Sequence, residues 1–245
     1  MYNVFMNIIP LTYIKPAKRP YLISSFVSTI DGKIMVLDKG YWPIGTKHDF
    51  EYFTNLRANS DAIIDAKNTA LIFGKNTIKT INDNEFKNDR KKLGKNKNVE
   101  YIVLSTNPNE ELFSKLENNF SYNTTILTTK RMATDKIKFC NFIECKSDNG
   151  TVDISDLISY LSEQGHELVY VDGGPTLISI LLKNQLLDEI HLTIAPKIFG
   201  TKAQKTLTLA EGMLFPPNEI PKFKLKDVTQ LKDEVILRYI FDKSG

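Results

Sequence analysis

The chain is short of the residues from which metal centres and disulfide frameworks are built. It has three histidines and two cysteines in 245 residues. Cys140 and Cys145 lie five apart with no histidine nearby, so no disulfide framework and no metal site are implied. No apolar run approaches the roughly 18 residues of a membrane span. The first residues, MYNVFMNIIPLTYIKP, lack an early basic region and are interrupted by prolines, so they do not read as a signal peptide. An excess of one charge is missing too. The 32 Lys and Arg against 29 Asp and Glu leave a net of +3, too balanced to argue for nucleic acid. No internal repeat and no dividing linker is visible. What is present is ordinary globular usage, 42% hydrophobic and 25% charged, enough to bury a full core in a cytoplasmic protein.

The most informative stretch is Leu168 to Leu182. Leu168 to Asp172 is apolar or β-branched until its final Asp, the pattern of a buried parallel strand. Gly173 and Gly174 follow, then Pro175, Thr176 and Leu177 at the start of an apolar run that ends near Asn184. Strand, glycine turn and helix bring bare backbone N–H groups to a ligand, and the helix N-terminus suits phosphate. Pro175 fits the first helical turn, where its missing N–H is not needed. A tight βα turn without any ligand is the plainer reading of the same residues.

The rest of the chain alternates elements. Residues 1–19 read as an N-terminal arm. Tyr21–Ser28 is a strand candidate, followed by Asp31-Gly32 as a turn and by a short apolar piece at Ile34–Leu37. Trp42, the one tryptophan, is either a packing plug or a ligand platform. Thr46 is a plausible cap for a helix over His48–Asn59 with Phe50, Phe53 and Leu56 as its buried stripe. Arg57 lies one step off that stripe, either solvated or clamping an anion at a pocket edge. Asp61–Asp65 is a short buried strand, with Thr69 in the loop after it. Residues 79–98 read as an exposed polar loop with room for a short helix, in which Arg90-Lys91-Lys92 serves solubility. Strands follow at Tyr101–Leu104, Thr124–Thr128 and Phe139–Glu144. Helices are expected over Asn109–Phe120 and over Asp153–Gln164, the latter stopped by Gly165. Asp188–Ala195 is a strand, and Lys222–Gln230 with Glu234–Phe241 forms a closing hairpin. This order predicts an α/β fold in one domain, with a mixed, mostly parallel sheet flanked by helices and a C-terminal antiparallel hairpin.

Three stretches together resemble the riboflavin-biosynthesis reductases, the reductase half of the bacterial bifunctional riboflavin deaminase–reductase. They are RPYLISSFVSTIDGKI, NLRANSDAII with Thr69 downstream, and LVYVDGGPTLISILLKNQLLDEIHLTIAPKIFG. The matches span residue 19 to about 241. The resemblance implies a dihydrofolate-reductase-like fold for a single reductase domain over 20–245, and a homodimer. No His-x-Glu with Pro-Cys-x-x-Cys is present, so no zinc deaminase accompanies it. The implied reaction is an NADPH-dependent reduction at C1′ of 5-amino-6-(5-phosphoribosylamino)uracil or a close relative, giving the ribitylamino product. Another pterin-like or small carbonyl or imine substrate, or a non-catalytic nucleotide-binding homologue, are the alternatives. By the same resemblance, Val27, Trp42, Thr69, Thr106 and Gly173 through Leu177 contact the cofactor, and Gly40, Arg57 and Asp172 the substrate. Asp31 and Asp172 are the catalytic candidates, Asp31 also being explicable as a turn former. The chain departs from the family after Thr69, where an Ala-Asp-Asp-Pro segment and an Arg are replaced. Asp65-Ala66-Lys67-Asn68 stands for a Gly-rich loop, Gly40 for a Ser and Asp172 for a Glu. Lys75 or Lys79 could supply the missing positive charge.

Overall fold

A computed structural model of the chain describes residues 9–37, 43–117, 124–132, 137–201 and 205–243. Its elements in chain order are β1 (Tyr21–Thr29), β2 (Met35–Val36), α1 (Lys47–Asn59), β3 (Ala62–Ala66), α2 (Lys67–Ile81), α3 (Asn84–Lys92) and β4 (Glu100–Leu104). Then come α4 (Glu110–Leu116), β5 (Thr124–Thr128), β6 (Asn141–Glu144), β7 (Ser147–Asp148), β8 (Thr151–Val152), α5 (Ile154–Glu163), β9 (Leu168–Gly173) and α6 (Pro175–Lys183). The chain closes with β10 (Glu189–Ala195), β11 (Thr206–Leu207), β12 (Phe223–Leu231) and β13 (Glu234–Phe241). Two compact units emerge. One comprises the residues up to Tyr21 with Thr54–Gly174, the other Leu22–Phe53 with Pro175 onward.

In the first unit, β9, β3, β4, β5 and β6 lie side by side in that order, all parallel. These strands are short apolar runs, and Ile63, Ile64, Ile102, Ile126, Val169 and Val171 are fully buried, as expected of strands covered on both faces. The helices are capped from the sequence. The side chains of Asp83, Asn109 and Asp153 each accept from a backbone N–H in the first turn of α3, α4 and α5. Gly165 follows α5 with φ of +73°, the left-handed stop its position predicts.

The polar stretch is where expectation and structure part. Thr69 is not in a loop: α2 begins at Lys67 and runs to Ile81. A methyl on Gly74 would lie 3.3 Å from the Tyr101 hydroxyl and 3.4 Å from Leu116 Cδ2, so a glycine here lets the helix lie close to β4 and α4. The short helix allowed for in the polar stretch is α3, residues 84–92, but Arg90, expected on the surface, is 1% exposed. In α1 the stripe also differs, because Phe50 is half exposed while Asp49 is buried.

In the second unit, β1 runs parallel to β10, β10 antiparallel to β13, and β13 antiparallel to β12. The closing hairpin expected from the sequence is present, turned at Lys232, whose φ is +56°. The mostly parallel sheet with a C-terminal antiparallel pair is therefore the fold.

Candidate active site

The strand order of the first unit contains a reversal. β3, β4, β5 and β6 are laid down outward in one direction, and β9 returns to the other side of β3. In open parallel sheets, ligands sit outside the carboxyl ends of the strands at such a reversal. The residues there are Asp65 and Ala66 on β3, and Asp172 and Gly173 on β9. The pairing is irregular at this point. Ile64 faces Val171 and Asp65 faces Gly173, so Asp172 is a surplus residue in β9. Bulges of this kind re-aim a side chain and are common beside active sites.

The re-aimed carboxylate meets Arg57, whose Nη2 donates to Asp172 Oδ2. The guanidinium carbon lies 5.8 Å from the centroid of the Tyr170 ring. Arg57 is 6% exposed, so it is not solvated. Burial, the largest single influence, lowers its pKa, but Asp172, Tyr170 and Asp65 together outweigh it and the net direction is upward. Asp65, fully buried, accepts a hydrogen bond from the Tyr101 hydroxyl. Its pKa is pushed well above the carboxylate range, first by burial and then by the charge of Asp172. Sequence reading missed Asp65 and Tyr101. Their one signal was an Asp at the end of an apolar strand, the same signal that marked Asp172.

Thr69, in the first turn of α2, packs against the glycine turn. A Cβ on Gly173 would lie 3.0 Å from Thr69 Cγ2 and 3.2 Å from its Oγ1. Gly174 has φ of +98°, a conformation that glycine alone adopts easily. Pro175 then begins α6. Thr176 is exposed and Leu177 is buried, so only the backbone of Leu177 is left for a ligand. At the end of β4, Ser105 is buried and Thr106 half-buried. Lys67 Nζ donates to the Asn107 carbonyl and Lys130 Nζ to its side-chain oxygen, each at 2.7 Å, so two cations converge beside Thr106. Lys75 and Lys79 are exposed on α2.

In the second unit, Val27 is half-buried on β1, opposite Thr193. Asp31 accepts from Thr29 Oγ1 at 2.5 Å, from the Phe199 N–H at 3.2 Å and from the Gly200 N–H at 2.9 Å. The Thr29 hydrogen bond, more than any other influence, holds its pKa below the ordinary value. Both carboxylate oxygens thus secure the chain around residues 199–200, and Gly32 follows with φ of +76°. That is the turn-forming role. A second buried cluster joins Glu189, whose Oε1 lies 2.5 Å from His191 Nε2 and accepts from Arg238 Nε at 2.6 Å, with the Tyr52 hydroxyl 2.6 Å from His191 Nδ1. Gly40 and Trp42 lie outside the described residues.

A cavity of about 650 Å³ opens at the opposite, amino end of the first unit's strands, lined by Arg90, Lys95, Glu100, Tyr160 and His166 among others. Its charges are spent on the protein itself. Lys95 pairs with Asp61, and Glu100 accepts from Thr125, Tyr160 and His166. It lies at the amino ends of the strands, whereas ligands of open parallel sheets sit at the carboxyl ends, so the carboxyl ends are the better candidate. Among the described residues, no group of His, Cys, Asp and Glu could hold a metal ion.

Residues 20–237 match the family described as RibD C-terminal domain. The chain is 28% identical over 199 residues to the 2,5-diamino-6-ribosylamino-4(3H)-pyrimidinone 5′-phosphate reductase of Archaeoglobus fulgidus, covering 80% of this chain and 89% of the relative. It is 25% identical over 250 residues to the riboflavin biosynthesis protein RibD of Actinobacillus pleuropneumoniae, covering 96% of this chain but 60% of that longer protein. Among solved structures, a pyrimidine reductase-like protein of Corynebacterium diphtheriae shares the fold with a TM-score of 0.66 at 19% identity, covering 92% of this chain and 93% of that one.

Proposed function

The chain belongs to the RibD C-terminal domain family, and from that premise we propose that it is a reductase of riboflavin biosynthesis. Its substrate is a phosphoribosylamino-pyrimidine, either the 2,5-diamino-pyrimidinone named for its archaeal relative or the corresponding 5-amino-uracil. The coenzyme is NADPH, which supplies the hydride that reduces C1′ of the sugar.

The residues present fit a dinucleotide. Gly173 and Gly174 carry no side chain at the end of β9, and Gly174, with φ of +98°, lets the main chain turn there as a diphosphate cradle requires. Thr69 holds Gly173 in place. Lys67 and Lys130, meeting at Asn107, favour the 2′-phosphate of NADPH over NADH. On the substrate side, Asp172 accepts hydrogen bonds from the pyrimidine's amino groups, with Arg57 fixing its rotamer. Held by Arg57, the Asp172 carboxylate orients the ring as a hydrogen-bond acceptor. Asp31 acts through the 199–200 loop as a positioning residue. The observation that carries the reading is the buried Arg57–Asp172 pair on the surplus residue of β9, directly before the glycine turn.

The exposed strand β12, with Leu225 and Val228 more than half uncovered, is in keeping with a homodimer, which sedimentation would test. Two free, buried thiols are in keeping with a cytoplasmic site of action. The deciding experiment follows NADPH oxidation with the two phosphoribosylamino-pyrimidines, beside calorimetry of coenzyme binding. Turnover of either supports the assignment. Tight coenzyme binding with no turnover of either would replace it with a nucleotide-binding homologue.

A further inference from the structure

Three ionisable side chains lie within electrostatic reach of one another where β3 and β9 end: Arg57, Asp172 and Asp65. Arg57 and Asp172 are paired and neutralise each other. Asp65 belongs to the segment that stands in place of the family's glycine-rich loop. It is 0% exposed, Tyr101 donates to its Oδ2, and its Oδ1 is buried with no hydrogen-bond partner. An ionised carboxylate seeks donors on both oxygens, and a second buried negative charge would compete for a guanidinium already engaged.

We propose that Asp65 is a neutral carboxylic acid in the resting protein, and that it is a positioning residue that leaves the Arg57 guanidinium to Asp172. Of two neighbouring acids, the one that is dry and short of donors is the one that keeps its hydrogen. The groups facing Asp65 are Asp172 from β9, Tyr101 from β4 and Arg57 from α1. Burial and the Asp172 charge favour its protonated form, against the Tyr101 hydrogen bond and the Arg57 charge. On this proposal an ionised Asp65 competes with Asp172 for the Arg57 guanidinium. The catalytic part of this inference rests on the reductase reading, and the protonation state does not.

Infrared spectroscopy of the full chain labelled with ¹³C-aspartate reads the protonation state directly. A protonated carboxyl band is expected at about pH 7.5, where Asp49, raised to about 6, has already ionised. The band should vanish in Asp65→Asn and on titrating the wild type further upward. Melting supplies a second readout. A carboxyl pKa raised on folding means that the native state holds the extra proton, so stability falls as pH climbs toward that pKa. Above pH 6 the wild-type Tm should therefore decline more steeply than that of Asp65→Asn. If turnover is found, the basic limb of the wild-type pH–rate profile should move to higher pH in the variant, a shift that a purely structural residue would not produce. Absence of the band in the wild type at neutral pH, or its persistence in Asp65→Asn, overturns the proposal. If Asp65→Asn does not fold, the wild-type titration decides alone. Failure of the reductase reading would show as absent turnover with the band intact.

Discussion

Replacing Arg90 by Met probes how the end of α1, and with it Arg57, is held. Arg90 Nη1 donates to the Ala58 carbonyl at 3.0 Å and also to that of Ser60. Nε donates to the Asn96 carbonyl at 2.8 Å, and Nη2 reaches that of Asn98 at 3.5 Å. Ala58 and Ser60 flank the last turn of α1, whose carbonyls have no partner within the helix. A cation is also the favoured charge at a helix C-terminus. Burial brings the Arg90 pKa down to about 10, which leaves it charged at neutral pH. Met keeps an unbranched stem of similar bulk but supplies no donor. Three well-formed bonds are lost, and each of the two buried carbonyls, of Ala58 and Ser60, costs about 1–3 kcal/mol if left dry. Removing the need to bury a guanidinium returns part of that. A net loss of about 3 kcal/mol is expected, a large share of the ~5–15 kcal/mol that holds a domain together. Urea denaturation measures it as a lower midpoint at unchanged slope. Lys91→Met, at the exposed neighbouring position, should stay within about 0.5 kcal/mol of the wild type. A loss under about 1 kcal/mol for Arg90→Met, or an equal loss for Lys91→Met, would refute the clamp.

Gly173→Ala forces a methyl to 3.0 Å from Thr69 Cγ2 and should cost about 1–3 kcal/mol, with Thr69→Ser restoring part of it in a double-mutant cycle. Equal stability of the single variant and the wild type would mean that the turn is not so constrained. Asp172→Asn takes from the buried Arg57 the carboxylate it is hydrogen-bonded to and leaves Asp65 as the acid within reach, so denaturation should show a loss of up to about 3–5 kcal/mol, and Arg57→Met added to it should recover some. No recovery would argue against the pair. Glu189 is affected first by burial, which raises its pKa, but its hydrogen bonds from His191 and Arg238 prevail and bring it down to about 2. A lowered carboxyl pKa gives stability that is present above about 4.5 and is lost as pH falls toward 2. The gap between wild type and Glu189→Gln, followed by denaturation across that window, should narrow, and a constant gap would contradict the assignment.

Legibility differed between local and distant causes. The Leu168–Asp172 strand, the two glycines and the closing hairpin depend on periodicity and turn chemistry within a few residues, and the structure has them where the pattern put them. Helix α2 does not announce itself. Ala66 offers no side-chain cap, and Gly74 and Thr77 are weak helix formers. That helix is held by the contacts Gly74 admits from β4 and α4. Arg57 and Asp172 are separated by 115 residues, and Tyr101 and Asp65 by 36, so no window along the chain relates them. Arg90 sits in a run of charges that looks solvated until the carbonyls of Ala58 and Ser60 are brought against it.

The surplus residue in β9 has a consequence for substitution. A side chain with no partner across the ladder can be lengthened or shortened while the hydrogen bonds between β3 and β9 stay in step. Asp172 is such a position, and its reach is set by Arg57 rather than by the pleat. A change from Asp to Glu at this point would therefore alter the reach of the carboxylate toward Arg57 without moving the β3–β9 register.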